Sequence, residues 1–353
     1  AKGHLNEARA ALLTVRNTES PDSSTAARFL AQIDKLERKY VDAISTLKKA
    51  AADFGEDEKI LAQMAELYMT LGEQEQAITA AQKSLQKEPD NPITSLNLAI
   101  WQANRSLDPF QVRKSFEQWS QKHLSKLKTS APELSRQDLD LRQDRALRIG
   151  YISGDFSNHA VRYFIEPYLT LHEKSSYEIH VFMTGVADEI TEILKESIEH
   201  WHDVENIDDA TLLRHIRQIK IDILVDLSGH TEGSKLEIFA ARAAPIQVTW
   251  WGFVQTLGLQ QMDYRLTDSI TCPPGSEEFY TEALCRMTCL TAYTQPLNTD
   301  DIFPSPWRKN GYVTMVSLNH SRKISDDALI IWRDILLKNP DSGLLIITTE
   351  TSE

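Results

Sequence analysis

Shifted by 34 positions, the first hundred residues of this 353-residue chain fall on themselves. Leu30 and Ala31 answer Met64 and Ala65, and then Leu98 and Ala99. Further along, Ala43 answers Ala77, Leu47 answers Ala81, and Ala50 answers Ser84. A period of this length restricts the fold severely, because each repeat is a pair of helices that must stack on its neighbours to bury its apolar face. The small residues at the repeated places let paired helices approach closely. Pro89 closes the second helix of its pair, since proline cannot continue a helix.

Tyr68, Gly72, Ala77 and Pro89 occupy the tyrosine, glycine, alanine and proline places of the tetratricopeptide pattern, which residues 1–107 resemble. Gly3–Val15 reads as the back half of an earlier repeat, so the chain is expected to begin inside a longer superhelix. Such a stack offers a concave groove to peptides or protein partners.

Residues 108–146 turn polar, and they are read as a helical linker with a helix from about Pro109 to Leu127. The aromatic pair Phe116 and Trp119 is expected to pack the repeats onto the α/β region beyond. The net charge of −13 repels phosphate backbones, so nucleic acid is not an expected general partner. No apolar run approaches the ~20 residues of a membrane span, and the N-terminus lacks a signal-peptide pattern, so no membrane association and a cytoplasmic location are expected. Cys272, Cys285 and Cys289 have no zinc-ligand spacing and read as reduced thiols.

From Leu147 onward, β-branched apolar runs alternate with helical stretches. Candidate strands run from Leu147 to Ser153, Tyr177 to Met183, Ile221 to Leu227, Ile246 to Trp250, Tyr312 to Leu318 and Leu344 to Thr348. Short apolar strands separated by helices imply a parallel, doubly wound α/β sheet covered on both faces. Ligands in such folds sit beyond the carboxyl ends of the strands. Four loops would gather there, namely Gly154 to His159, "SGHTEGSK" from Ser228, "WGFVQTLG" from Trp251 and "SLNHSRK" from Ser317. None carries a dinucleotide fingerprint or a P-loop, which disfavours a nicotinamide cofactor or ATP. Each polar residue also has a plain structural reading: Asp155 as a helix cap, Asn158 as a turn residue, His159 and His230 as loop histidines, and Lys323 as an exposed lysine before a helix capped by Ser325.

Together these segments resemble the SPINDLY-like and O-GlcNAc transferase family, which joins tetratricopeptide repeats to a two-lobed glycosyltransferase of the GT-B type. The resemblance runs through "LRIGYISGDFSNHAVRYFIEP", "IDILVDLSGHTEGSKLEIFAARAAPIQVTWWGF", "MDYRLTDSITCPPG" and "NGYVTMVSLNHSRKIS". It implies a tetratricopeptide superhelix followed by a Rossmann-like N-terminal GT-B lobe over residues 147–308 and the start of a second, incomplete lobe over 309–353. It implies transfer of a sugar, GlcNAc above all, from a nucleotide-sugar donor such as UDP-GlcNAc to serine or threonine of a protein acceptor, with no cofactor and no metal. His159 is then the active-site histidine, with Asp155 and Asn158 orienting its ring. Lys323 meets the donor diphosphate, with Asn319 and His320 beside it. His230, Thr231, Lys235, Gly252 and Phe253 line the donor side. An asparagine ladder that grips peptide backbone in the family would fall on Phe29, Gln63 and Asn97, of which Asn97 alone keeps the residue.

The chain departs from the family pattern in places. Ala160 follows His159 where the family has proline, and "GFVQTLG" lacks the proline and one hydroxyl of the family's turn. The family's second lobe continues past Leu344 to a donor-binding "HTT" loop at a helix N-terminus. Residues 1–353 lack it, so they are expected to be inactive on their own. Two alternatives remain open from the sequence: a catalytically degenerate repeat scaffold that binds a client or partner transferase, and the same chemistry with another donor such as GDP-fucose.

Overall fold

The computed structural model describes residues 2–16, 22–106, 108–124, 127, 134–139, 145–290, 292–294, 304–320 and 323–347. It divides into two compact units, Ala1–Arg105 with Asp301–Glu353, and Ser106–Asp300.

The repeats fold as helices α1 (Lys2–Arg16), α2 (Asp22–Leu36), α3 (Tyr40–Phe54), α4 (Glu58–Thr70), α5 (Gln74–Lys87) and α6 (Pro92–Ala103). The positions that recur in the sequence are the ones that pack. Ala31, Ala65 and Ala99 are buried, as are Ala43 with Ala77 and Leu47 with Ala81, and most of them join one continuous core. The turn between α4 and α5 needs a left-handed residue, which Gly72 supplies at φ 79°. One repeat earlier Arg38 takes the same conformation at φ 61°, so the stack holds the turn even where the residue disfavours it. Asp57 and Asn91 cap α4 and α6, and α5 ends just before Pro89.

The second unit opens with α7 (Pro109–His123). It is no linker in this structure. Phe116 is fully buried against His230 and Phe253, Ser120 Oγ donates to the Leu257 carbonyl at 2.8 Å, and an added Cβ at Gly258 would overlap the Phe116 backbone. The expected packing role of Phe116 and Trp119 is thus exercised within the α/β unit. Of the remaining linker, 128–133 and 140–144 lie outside the described residues.

The α/β layer follows as β1 (Leu147–Ser153), α8 (Ala160–Thr170), β2 (Tyr177–Met183), α9 (Glu189–Ser197), β3 (His200–Asp203), α10 (Asp209–Ile219), β4 (Ile223–Asp226), α11 (Leu236–Ala240), β5 (Ile246–Thr249), β6 (Tyr264–Thr267) and β7 (Ala283–Arg286). Among the described residues the sheet has seven strands in the order β3-β2-β1-β4-β5-β6-β7, and each neighbouring pair is parallel. One face buries Ile149, Tyr151, Val181 and Met183 beneath Ile165 and Leu194. Strand order reverses between β1 and β4, and a doubly wound sheet opens its crevice at such a switch point.

Past Asp301 the first unit resumes with α12 (Pro306–Asn310), β8 (Thr314–Ser317), α13 (Asp326–Lys338) and β9 (Gly343–Ile346). Strands β8 and β9 pair in parallel, and Ser325 caps α13 through the Ala328 N–H, as the sequence predicts. Gln74 Nε2 donates to the Ile324 carbonyl at 3.3 Å, which ties the loop before α13 to the repeats.

Candidate functional site

The loops after β1, β2 and β4 are pinned to one another at the carboxyl edge of the sheet, through serine and threonine hydroxyls and a close approach of glycine backbone. Ser153 Oγ lies 3.3 Å from Ser228 Oγ and accepts from the Asp155 N–H at 3.0 Å. Thr184 donates to the Gly233 carbonyl at 2.7 Å. Gly154, Gly185 and Gly233 meet there, and a Cβ on Gly185 would overlap the Gly154 carbonyl, so only glycine allows this approach. Beneath the β4 loop, fully buried Asp226 accepts from the Ser228 and Gly229 N–H groups and from the Thr249 hydroxyl.

His159 stands on this platform as the N-cap of α8. Its Nδ1 accepts from the Val161 N–H at 3.4 Å and lies 3.6 Å from Asp155 Oδ2, and its side chain is about half exposed. A single ring nitrogen cannot serve both neighbours: Val161 needs its lone pair, whereas Asp155 needs its proton. Both distances are at or beyond the hydrogen-bond limit, so a shift of a few tenths of an ångström selects between them. Burial raises the Asp155 pKa, with Glu232 adding to the rise and His159 opposing it. Asn158 contributes its backbone, donating at 2.8 Å to Asp188, and its side chain is exposed. Asp188 also caps α9, and the Asn158 N–H holds its carboxylate below the usual range. Sequence reading missed Asp188 and Glu232. The capping box from Asp188 to Thr191 was a visible signal for the first, whereas nothing in the sequence links Glu232 to Asp155.

Four of the expected donor-side residues have structural work instead. His230 is 6% exposed, stacked on Phe116 with Trp119 and Phe253 edge-on, and its Nε2 lies 2.9 Å from the Leu257 carbonyl. Burial pushes its pKa down to about 4, so it is a neutral core ring rather than a cation for phosphate. The Phe253 ring is buried in the same cluster, and its carbonyl accepts from Arg265. Lys235 is committed to Asp209 at 2.8 Å, near the start of α10. Gly252 does mark a close backbone approach, but its neighbour is Leu227: an added Cβ would overlap that carbonyl and come within 2.7 Å of Ser228 Cα. Thr231 stays exposed, with its hydroxyl donating to the Ser228 carbonyl at 2.8 Å.

The third group belongs to the other unit, in the loop after β8. Lys323 is exposed and its N–H donates to the His320 carbonyl at 2.9 Å, while Asn319 Nδ2 donates to Ser317 Oγ at 3.3 Å. In the repeats, Phe29, Gln63 and Asn97 stand at equivalent points of α2, α4 and α6. Phe29 is 54% exposed, and Gln63 and Asn97 are half-buried.

Comparison with known proteins bears on the same segments. Residues 117–293 match the model of glycosyl transferase family 41, and residues 36–96 match a tetratricopeptide repeat. A relative from Arabidopsis thaliana named "Probable UDP-N-acetylglucosamine-peptide N-acetylglucosaminyltransferase SPINDLY" is 40% identical over 209 residues, covering 58% of this chain and 23% of its own length. A protein of the same name from Oryza sativa subsp. japonica is 34% identical over 277 residues, or 76% of this chain and 29% of its own. This chain therefore spans about a quarter of the length of these curated relatives. A solved structure of a Thermobaculum terrenum O-GlcNAc transferase mutant superposes with a TM-score of 0.84 at 30% identity, covering 99% of this chain and 66% of that one. With half of its residues matched by the family model, the chain belongs to glycosyl transferase family 41.

Proposed function

We propose that this chain is part of a protein O-glycosyltransferase that moves a sugar, GlcNAc being the best supported, from a nucleotide-sugar donor to serine or threonine of a protein acceptor. Support for GlcNAc comes from the names of the relatives. The single observation that carries the reaction class is the placement of His159, an exposed imidazole at a helix N-terminus beside Asp155, at the switch point of a family 41 domain.

In the transfer, the acceptor oxygen bonds to the anomeric carbon as the bond from that carbon to the diphosphate breaks. The acceptor proton must leave, and the diphosphate gains charge. With Nδ1–H turned to Asp155, His159 offers an Nε2 lone pair that can receive the proton or a hydrogen bond from the hydroxyl. With Nδ1 capping Val161, Nε2 carries the hydrogen and can donate to a substrate oxygen. The two weak Nδ1 contacts leave both forms within reach. Lys323 would offset the leaving charge, in place of a metal. The groove of the repeats would present the protein acceptor.

The test is sugar transfer to a protein acceptor by the longest native form carrying this segment. His159→Ala should lower turnover by ~10²–10⁴-fold while leaving thermal unfolding near wild type, because the ring is half exposed. Lys323→Ala should weaken donor binding as well as turnover. A folded His159→Ala protein with full activity would remove His159 from the chemistry.

A further inference from the structure

At the opposite end of the sheet lies a second cluster of histidines. Glu178 and His180 are two apart on β2 and so face the same side. His200 is the parallel register partner of His180 on edge strand β3, and their rings stack with centroids 4.5 Å apart and 14° between planes. Glu178 Oε1 lies 2.9 Å from His180 Nε2 and 3.6 Å from His200 Nε2, and one donor atom from each residue falls within 4.8 Å of the other two.

We propose that Glu178, His180 and His200 bind one transition-metal dication, with zinc the best fit. Four-coordinate zinc with bonds of about 2.0–2.2 Å places its ligand atoms roughly 3.3–3.6 Å apart, so the Glu178–His180 pair must open slightly and the two stacked rings must rotate for both Nε2 lone pairs to meet one ion. Two imidazoles and a carboxylate favour zinc, cobalt or nickel over magnesium or calcium, which prefer oxygen. The outer shell is also built. His180 Nδ1 lies 3.1 Å from His202 Nε2, and His202 Nδ1 lies 3.2 Å from His215 Nε2 of α10. A chain of this kind fixes the ring of a metal-binding histidine and sets which nitrogen faces the ion.

Without an ion, the satisfying proton order runs from His215 through His202 to His180, whose Nε2–H then donates to Glu178. An ion at Nε2 reverses that order, so His180 Nδ1–H donates to His202 and His202 Nδ1–H to His215. Arg148 Nε, 3.3 Å from the Glu178 carboxylate, is the cation the ion would compete with. The fourth position is open. The His180 side chain is 5% exposed, but those of His200 and Glu178 are about one-third exposed, and both line a cavity of about 240 Å³. Glu178 and His200 lie at the amino ends of β2 and β3 and His180 midway along β2, whereas the loops of the candidate site follow the carboxyl ends of their strands. The ion's work is therefore to fasten the edge strand to β2.

The metal-stripped 353-residue chain, titrated with Zn²⁺ against a chromophoric chelator, should bind one ion at this site. His200→Ala and Glu178→Gln, both at partly exposed positions, should each weaken binding by more than the ~10–100-fold that loss of an outer partner costs. The Co²⁺ form should show a four-coordinate visible spectrum without a thiolate band, which separates this site from the cysteines. Ring resonances of His180 and His200 should shift on adding Zn²⁺ to the wild type, a readout that requires no variant. Absence of one-to-one binding, a thiolate band, unmoved His180 and His200 resonances, or folded variants that bind as tightly as wild type would each overturn the site.

Discussion

Acid should loosen the α/β unit through His230, and the surroundings of the ring set the size of the effect. The ring is enclosed by Phe116, Trp119 and Phe253, its Nε2 sits on the Leu257 carbonyl, and its Nδ1 has no hydrogen-bond partner among the described residues. Desolvation lowers its pKa from 6.5 to about 4, against the pull of the Leu257 hydrogen bond. The folded value lies below the unfolded one, so the unfolded chain takes up the proton first. Stability from this group is complete above about pH 6.5 and declines as the pH falls toward 4. A displacement of that size amounts to about 3 kcal/mol in full, of which about 2 kcal/mol is lost between pH 7.5 and 5.

The assay is urea unfolding followed by tryptophan fluorescence at several pH values between these limits, on wild type and on His230→Gln. Glutamine keeps an N–H for Leu257 but cannot titrate, so other groups cancel in the difference between the two proteins. The variant should be the less stable at pH 7.5, because its side chain stacks poorly in an aromatic cluster. Its stability should then fall by about 2 kcal/mol less than that of wild type on going to pH 5. Parallel pH profiles for the two proteins would refute the reasoning, and they would mean that water or movement of α7 relieves the charge.

Gly252→Ala should cost about 3 kcal/mol or more, because its Cβ would press on the Leu227–Ser228 backbone and no flexible side chain can yield; a melting temperature within 2 °C of wild type would contradict this. Asp263→Asn should be destabilising by about 3 kcal/mol at pH 7, since the buried carboxylate is held by Arg242, the Gln247 N–H and Arg136. Burial works to raise its pKa, but those partners outweigh it and the net shift is downward, so the advantage of wild type should shrink as the pH falls below about 4, measured by denaturant unfolding.

Periodicity made the architecture legible wherever one face of an element is uniformly apolar. Strands β1 and β2 have the limits that their apolar runs predict, and the 34-residue register of alanines is the core of the repeats. Strands β3, β6 and β7 escaped notice because "HWHD", "YRLT" and "ALCR" are only four residues long and none is a β-branched apolar run. A strand at or near the sheet edge, or one that uses an arginine to anchor a loop, has no need of a hydrophobic run. Helix α7 reads as a polar connector because its anchors are few and large; Phe116, with Ser120 on Leu257, fastens it without a broad apolar stripe. In the candidate site, sequence located the loops but could not tell which polar side chains they expose. His159 and His230 look alike in sequence, each following a small or polar residue after a strand. The difference between them is the helix that packs on one and leaves the other open.

The same side chain is held differently at the two ends of the sheet, and the difference lies in the hydrogen bonding at Nδ1. At the carboxyl end, His159 Nδ1 faces two incompatible partners, neither at good distance, so neither contact fixes the ring's tautomer. A group in that condition can accept a proton in one step and donate a hydrogen bond in another. At the amino end, His180 Nδ1 is engaged at 3.1 Å by a second ring that is itself engaged by a third, so changing one proton requires changing the chain. A group so held is poorly suited to rapid exchange but well suited to holding a ligand in a fixed direction. The catalytic role proposed at the first end and the metal site proposed at the second therefore rest on one criterion, which is whether the far nitrogen of the imidazole is free to change its partner.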